Sequence, residues 1–199
     1  MIKLILDILF AFFLIIFLSP LFFTIILILF FFSKDKVFYH QNRIGFNGKK
    51  FRLIKFRTMS SDDGILSEYL DNSPEEKKMW LAKQKLFKDP RITKIGLFLR
   101  EFSLDELPQI FNILKGEMSF IGPRPIIQSE VKKYGTNFEL YKTIKPGVSG
   151  LWQVSGRNNT TYEERVNFDI FYIKNRSFLL DVKIFFKTFV AIFSRNGAY

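Results

Sequence analysis

The chain has 199 residues, a formal net charge of +11, no cysteine and one histidine. This length suits one domain, or one domain with an anchor, and the apolar content of 48% excludes a disordered chain. The lack of cysteine excludes a disulfide scaffold, a thiol nucleophile and a cysteine-ligated metal. His40 alone excludes a multi-histidine metal site. Any metal must therefore bind carboxylates and phosphates, which favours magnesium.

The N-terminal segment is strongly apolar. The run of 25 residues from Ile8 to Phe32 is interrupted only by Ser19, Pro20 and Thr24. A cleaved signal peptide fits poorly, because the run is too long and no small-x-small cleavage site follows it. The run is long enough to cross a membrane, but Pro20 at its middle breaks the helical hydrogen bonding. The Ser19 hydroxyl can satisfy a backbone group that is freed there.

Two topologies fit this membrane segment, a kinked spanning helix and a helix-break-helix hairpin that returns to the same membrane face. The hairpin would place the basic region after it in the cytoplasm, in agreement with the positive-inside tendency. We predict an anchor over residues 1–32 and one globular domain over residues 33–199, which carries the excess of positive charge.

The remaining chain has the pattern of an α-rich α+β domain. Short β-like runs over Val37–His40 and Lys50–Lys55 flank Asn47-Gly48, which predicts a small β-hairpin. Residues 60–72 are polar and predict a loop. Ser73 as N-cap, with Pro74 and Glu76 after it, predicts a helix that runs to about Phe87. Further helices are predicted over Thr93–Glu101, Ser103–Leu114, Ile127–Tyr134, Tyr162–Lys174 and Phe178–Phe193.

The last of these predicted helices is amphipathic. Lys183 and Lys187 are four residues apart on one face, and several phenylalanines lie opposite them. We expect such a helix to lie partly in a membrane interface, although a core helix has a similar pattern. The phenylalanines concerned are Phe185, Phe186, Phe189 and Phe193.

The stretch from Arg100 to Gln109 contains an adjacent pair of carboxylates, Asp105 and Glu106. One interpretation is structural, a capping box from Ser103 to Glu106 at a helix start. The other is catalytic, because a helix N-terminus favours an ionised carboxylate, and such a carboxylate near a divalent cation is a competent nucleophile toward phosphorus.

Three further segments carry groups suited to phosphate. Arg124 lies between Pro123 and Pro125, which can fix its guanidinium for a bidentate phosphate contact or simply form a rigid turn. Lys55 and Arg57 would share one face of a strand. The glycines of segment 146–158 can free backbone amides to cradle phosphate. Together these residues predict a site for a diphosphate and a metal at a membrane surface.

The order of these motifs resembles the bacterial sugar transferases, that is, the monotopic phosphoglycosyl transferases. The resemblance covers nearly the whole chain, including Ser19-Pro20 and the Asn-Gly-Ala-Tyr ending, and it implies that the anchor is re-entrant. The motifs that carry it are Lys55-Phe56-Arg57-Thr58-Met59, Ser103-Leu104-Asp105-Glu106-Leu107-Pro108-Gln109, the run from Asn112 to Pro125, and the run from Lys145 to Asn158.

The resemblance implies an activity and a location. Such enzymes move a phospho-sugar from a UDP-sugar to polyprenol (undecaprenyl) phosphate and release UMP, with magnesium as cofactor. This is the first membrane step of surface glycan biosynthesis. The implied location is the bacterial inner membrane, with the catalytic domain on its cytoplasmic face and in contact with membrane lipid. A homodimer is compatible with the resemblance.

The resemblance also implies roles for individual residues. Asp105 would be the nucleophile and a metal ligand, and Glu106 would assist it. The expected substrate-binding residues are Lys55, Arg57, Arg100, Arg124, Arg157 and Asp169.

Two other functions remain as alternatives. A membrane-tethered nucleic-acid binder would use the charge of +11 and the aromatic content of 18%. However, an anionic membrane accounts for the charge, and most aromatics are phenylalanines in apolar runs, so we expect no nucleic-acid partner. A membrane-bound glycosyltransferase that moves the sugar alone would release UDP rather than UMP.

Overall fold

The computed structural model describes residues 2–33, 35–83, 86, 88–156 and 160–193, and it shows a helix-rich α+β fold with two small sheets. The elements, in chain order, are α1 (Ile2–Phe17), α2 (Ser19–Phe32), β1 (Phe38–Ile44), β2 (Lys50–Phe56), α3 (Asp63–Asp71), α4 (Pro74–Lys83), α5 (Lys94–Glu101), α6 (Gln109–Leu114), β3 (Ser119–Ile121), α7 (Val131–Tyr134), α8 (Phe138–Tyr141), β4 (Gly147–Ser149), α9 (Leu151–Ser155), α10 (Tyr162–Asn175) and α11 (Phe178–Phe193).

The apolar N-terminal segment is broken at the predicted place. α1 and α2 meet at an angle of 63°. The Ser19 hydroxyl donates to the Ile16 carbonyl at 2.8 Å, and Pro20 lies in the first turn of α2, where its missing N–H costs no helical hydrogen bond. Among the described residues, no single helix meets the length and hydropathy expected of a membrane span, whereas α1 and α2 meet it together as a bent pair.

One face of the α1–α2 pair belongs to a core that it shares with the rest of the chain. The Phe22 ring lies 5.7 Å from the Phe56 ring and 5.9 Å from the Phe111 ring, measured between centroids. The opposite face leaves large apolar side chains exposed, Phe17 and Phe32 among them. The buried residues of this core are Ala11, Phe22, Ile25, Leu29, Phe51, Leu53, Phe56, Leu99, Ile110, Ile113 and Met118.

The predicted β-hairpin is confirmed, since β1 pairs with β2 in antiparallel register. α6 is fixed against β2 by the fully buried side chain of Asn112. Its Oδ1 accepts from the Ile54 amide at 3.1 Å, and its Nδ2 donates to the Arg52 carbonyl at 2.8 Å and to Glu117. Because buried polar groups need partners, this amide fixes the segment before α6 close to the end of β2.

A second sheet, parallel and unexpected from the sequence, joins β3 to β4. Its strands approach so closely that a Cβ on Gly147 would lie 2.1 Å from the Gly122 nitrogen. The Gly122 amide donates to the Ser149 carbonyl and the Gly147 amide to the Pro123 carbonyl. Both amides are engaged in the fold, so the Gly147 amide, which belongs to segment 146–158, is not free to cradle a phosphate as the glycine pattern indicated.

Two predicted elements are wrong. Residues 60–72 are not a loop but contain α3, which begins with the Asp62 carboxylate accepting from the Gly64 amide and which buries Leu70. The single helix predicted over Ser103–Leu114 is instead a 3-10 turn over Leu104–Glu106 followed by α6. The predicted end of the helix from Pro74, near Phe87, lies outside the described residues.

The helices predicted to begin at Thr93, Tyr162 and Phe178 are confirmed as α5, α10 and α11. Thr93 caps α5 by accepting from the Gly96 amide at 2.9 Å, and α10 begins with a capping box at Thr161. α11 buries Ile184 completely while Phe186 and Phe193 are exposed, which is the amphipathic arrangement expected of an interfacial helix.

Candidate active site

The two adjacent carboxylates lie in a tight turn between α5 and α6. Ser103 adopts a left-handed conformation, with φ of 55°. A non-glycine residue pays about 1–2 kcal/mol for this conformation, and such strain clusters at functional sites. The Ser103 side chain makes no capping hydrogen bond, so the predicted capping box is absent. The 3-10 turn that follows carries Asp105 and Glu106 toward the end of β2.

Lys55, near the end of β2, contacts both carboxylates. Its ammonium donates to Glu106 Oε1 at 2.6 Å and lies 3.6 Å from Asp105 Oδ2. The Asp105 side chain is 13% exposed and that of Lys55 is 18% exposed, so solvent screens the cluster only partly. The structure thus brings Lys55 to two adjacent carboxylates that lie about 50 positions later in the sequence.

The two carboxyl groups differ in how their charge is compensated. Burial raises the pKa of Asp105 despite the attraction of Lys55, and the neighbouring charge of Glu106 raises it further. Burial opposes the ionisation of Glu106 as well, but the charges of Lys55 and Arg124 outweigh it and hold the pKa of Glu106 below its usual range. Asp105 lies in a 3-10 turn rather than at the start of an α-helix, and its burial opposes the ionisation that a helix N-terminus would favour. Another cation beside Asp105 would stabilise its charge.

A narrow cleft beside Glu106 is lined by basic and amide side chains. Arg124, from the rigid segment after β3, lines it together with Lys55. The Arg124 guanidinium also lies 5.7 Å from the centre of the buried Trp152 ring, which fixes its position. The cleft encloses about 10 Å³, roughly the space for one water molecule.

Two residues of this cleft were not singled out by the sequence. Arg43 donates to the Pro125 carbonyl and to Gln41, yet its buried Nε has no partner among the described residues. The buried Oε1 of Gln153 likewise has no partner in that part of the chain. Arg43 gave no signal, because an arginine on a strand is common, whereas Gln153 lay within the glycine-rich segment. Unpaired buried polar atoms are costly and point to a ligand or water.

The other predicted basic residues are dispersed. Arg100 donates from Nε to Thr58 Oγ1 at 2.9 Å, and its charge acts on Asp105. Arg57 follows the end of β2, donates to the Lys36 carbonyl and lies over the Tyr39 ring. Tyr39 is the cross-strand partner of Lys55, so this contact agrees with the predicted shared face of Lys55 and Arg57. The contacts described for Arg57 do not include Asp105 or Glu106. Arg157 lies outside the described residues.

Asp169 is almost completely buried in α10, with 1% of its surface exposed. The Tyr134 hydroxyl donates to its Oδ2 at 2.7 Å, and its Oδ1 has no partner among the described residues. Burial raises the pKa of Asp169 to about 7. Asp169 is therefore not open to a ligand in this structure. Arg124, which lines the cleft, acts on it through its charge, which favours the ionised form of Asp169.

This burial predicts a pH dependence of stability. In the unfolded chain the Asp169 carboxyl has a pKa of about 4. Above that pH, folding must therefore either add a proton to this carboxyl or bury it in its charged form. The contribution of Asp169 to the free energy of unfolding should be fully present below about pH 4, decline as the pH rises to 7 and be lost above it. The whole change is up to about 4 kcal/mol. In Asp169→Asn this decline should disappear from denaturant unfolding curves at pH 4.5 and 8. An equal decline in both proteins would contradict the buried, proton-linked carboxyl.

The carboxylate pair also bears on metal binding. Among the described residues, no group of three or more histidine, cysteine, aspartate or glutamate side chains could hold a metal ion. Magnesium, however, is commonly held by one or two carboxylates, with waters and substrate phosphates as its other ligands. Asp105 and Glu106 fit that pattern. Lys55 offsets the burial of Asp105 only in part, so a cation would further stabilise the ionised Asp105 carboxylate.

Comparison with known proteins identifies the family. The bacterial sugar transferase family model matches residues 1–195. An exopolysaccharide production protein ExoY of Sinorhizobium fredii is 44% identical over 97% of this chain and 86% of its own length. An uncharacterized sugar transferase of Haemophilus influenzae is 52% identical, and the undecaprenyl-phosphate galactose phosphotransferase of Salmonella typhimurium is 48% identical, each over 81% of this chain. The chain spans 34% of the length of these last two. The chain belongs to the bacterial sugar transferase family.

Proposed function

We propose that the protein transfers a phospho-sugar from a UDP-sugar to undecaprenyl phosphate or a similar polyprenol phosphate, with release of UMP. The observation that carries the proposal is the contact of Lys55 with both Asp105 and Glu106 beside an arginine-lined cleft, in a chain of this family. The Salmonella relative is named for a reaction of this kind. The ExoY relative is named for exopolysaccharide production, which supports a role at the first membrane step of surface glycan synthesis.

Asp105 is the nucleophile in this proposal. One of its carboxylate oxygens attacks the phosphorus that bears the sugar, and the bond from this phosphorus to the bridging oxygen breaks, so that UMP leaves with that oxygen. The phosphate oxygen of polyprenol phosphate then attacks the same phosphorus and displaces the Asp105 carboxylate. No net proton is consumed, and the kinetics should be ping-pong.

The neighbours of Asp105 have separate tasks. Lys55 lies close enough to both carboxylates to orient them, and its pairing with Glu106 leaves the Asp105 oxygens able to reach a phosphorus atom. We include magnesium, held by Asp105 with support from Glu106. When bound, it would neutralise phosphate charge and help UMP to leave.

The cleft is suited to the diphosphate of the donor. Burial and then the charge of Arg124 lower the pKa of Arg43, and Glu130, 3.7 Å from the Arg43 guanidinium, offsets only part of this effect. An anion between Arg43 and Arg124 would relieve the repulsion of their charges and would give the unpaired Nε of Arg43 an acceptor. Because the enclosed space is so small, only phosphate oxygens would enter it, and the nucleoside and sugar would lie at its mouth.

We further propose that residues 1–32 form a re-entrant anchor in the bacterial inner membrane, with the remaining domain at its cytoplasmic face. The bend at Ser19-Pro20, the exposed apolar face of the helix pair and the exposed phenylalanines of α11 support this location. A site at the interface could meet both a charged cytosolic donor and a phosphate at the membrane surface.

The anchor topology predicts a labelling result. The chain has no cysteine, so Ile2→Cys and Lys36→Cys each introduce one unique thiol. In sealed inverted membrane vesicles, a membrane-impermeant maleimide should label both variants without detergent. Labelling of one variant only until detergent is added would mean that the segment spans the membrane.

The activity is tested by product analysis. Purified protein in detergent micelles, with polyprenol phosphate and magnesium, is given a panel of UDP-glucose, UDP-galactose and UDP-N-acetylhexosamines. We expect UMP and a polyprenyl-diphosphate-sugar from at least one donor. Release of UDP with a polyprenyl-monophosphate-sugar would indicate transfer of the sugar alone and would overturn the proposal.

A further inference from the structure

A groove of about 1320 Å³ lies between α1, α11 and the turn that joins β1 to β2. Its walls are mostly apolar and include Leu6, Phe10, Phe120 and Phe185. Small-molecule sites have volumes of about 300–1,000 Å³, so this groove has room for a longer apolar ligand. Among the described residues, it shares no lining residue with the cleft beside Glu106.

Contacts on both sides of the groove hold its walls in place. Lys3 of α1 forms an ion pair with Asp181 of α11. Ser119 donates to Asp7 at 2.7 Å, and the Phe10 ring lies 5.0 Å from the Phe120 ring. The groove is therefore a feature of the folded arrangement, since polar and aromatic contacts join α1 to the elements opposite it.

The groove has an excess of positive charge. Its lining carries five cationic side chains and three carboxylates, a net charge of +2. Asp181 pairs with Lys3, whereas Asp7 and Glu117 accept from the neutral side chains of Ser119 and Asn112 and keep their charge. The cations other than Lys3 come from three different segments and can attract an anion. These are Lys49, Lys50, Lys145 and Arg176.

The surfaces beside the groove are apolar and exposed. Phe178 and Phe186 line it from α11 and are 73% and 64% exposed, and Leu9 of α1 is 61% exposed close by in the sequence. Apolar patches of this kind mark interaction surfaces, and on the proposed membrane location they would face lipid. A ligand that fits both properties has long apolar chains and an anionic phosphate head.

We propose that this groove binds one anionic phospholipid, with its acyl chains between α1 and α11 and its phosphate near Lys49, Lys50 and Lys145. The bound lipid would complete the contact between the anchor and the domain. The proposal rests on the membrane location proposed above, but it does not depend on the phosphotransfer reaction.

The test compares two lipids on the full chain. The protein in detergent is titrated with phosphatidylglycerol or phosphatidylcholine of the same acyl chains, and bound lipid is counted by native mass spectrometry. Phosphatidylglycerol should bind more tightly. The variant Lys49→Gln/Lys50→Gln/Lys145→Gln should bind it about tenfold more weakly, because three attractive charges are lost. The control, Lys78→Gln/Lys94→Gln/Lys132→Gln, has the same net charge change at exposed sites elsewhere and should bind it like the wild type.

A second variant tests the apolar part of the groove. Val182→Trp fills space at the wall while it keeps every charge, so binding of both lipids should fall. Equal affinity for the two lipids, or unchanged binding by both variants, would overturn the proposal. Displacement of phosphatidylglycerol by equimolar undecaprenyl phosphate would assign the groove to the acceptor and would also overturn it. Because Asp105→Asn should bind phosphatidylglycerol normally, failure of the proposed reaction is distinguishable from failure of this site.

Discussion

Replacement of Asp105 by asparagine should lower phospho-sugar transfer by at least about 10³-fold, because the amide cannot form the covalent bond that the carboxylate forms. The substitution keeps the shape of the side chain and removes a carboxyl group whose pKa is raised by burial. The variant should therefore remain folded and membrane-bound. The rate of UMP release, together with thermal unfolding of the same preparation, checks both parts.

Asp71→Asn is the matched control for this prediction. Asp71 lies at the end of α3 and forms an exposed ion pair with Lys77, with 70% of its side-chain surface accessible. Such pairs contribute about 0–1 kcal/mol, so activity and stability should both stay near those of the wild type. Near-normal transfer by Asp105→Asn would exclude it as the nucleophile.

Replacement of Lys55 by glutamine should reduce both activity and stability. It leaves two neighbouring carboxylates, Asp105 and Glu106, without the ammonium that lies 3.6 Å and 2.6 Å from them. Loss of one partner from a buried ion pair costs about 3–5 kcal/mol, and partial exposure of this cluster favours the lower value. We expect kcat/KM to fall by at least about 10²-fold, because the nucleophile loses its orientation.

A second substitution separates the structural role of Lys55 from its functional role. In Lys55→Gln/Glu106→Gln the repulsion between the two carboxylates is gone, so most of the lost stability should return while activity stays low. Lys77→Gln, which breaks only an exposed pair, should change the free energy of unfolding by less than about 1 kcal/mol. Full activity in the Lys55→Gln single variant would show that the contact has no part in the reaction.

The sequence correctly predicted those structural elements that a few neighbouring residues determine. The break at Ser19-Pro20, the start of a helix near Thr93 and the β1–β2 hairpin each depend on a few neighbouring residues, and each is confirmed. α3 was missed because Asp62 and its polar neighbours are typical of loops. The spacing of apolar residues up to Leu70 was the signal that could have revealed a helix.

The site depended on contacts that local patterns do not contain. The turn at Ser103 needs a left-handed serine, which tertiary packing enforces against its ordinary preference. The motif resemblance named Lys55 and Asp105 as functional, but only the packing of α6 against β2 through Asn112 explains why they meet. Arg43 was missed because its burial, rather than its sequence neighbourhood, distinguishes it.

The most direct test of the central claim is intact-protein mass spectrometry after rapid mixing with a UDP-sugar and magnesium, without polyprenol phosphate. We expect one UMP released per enzyme and a mass increase of one phospho-sugar. Peptide mapping should place it at Asp105, and polyprenol phosphate should remove it. The adduct should be absent in Asp105→Asn and present in Asp71→Asn. Transfer to polyprenol phosphate without any protein adduct, or an adduct on another residue, would contradict the proposed mechanism.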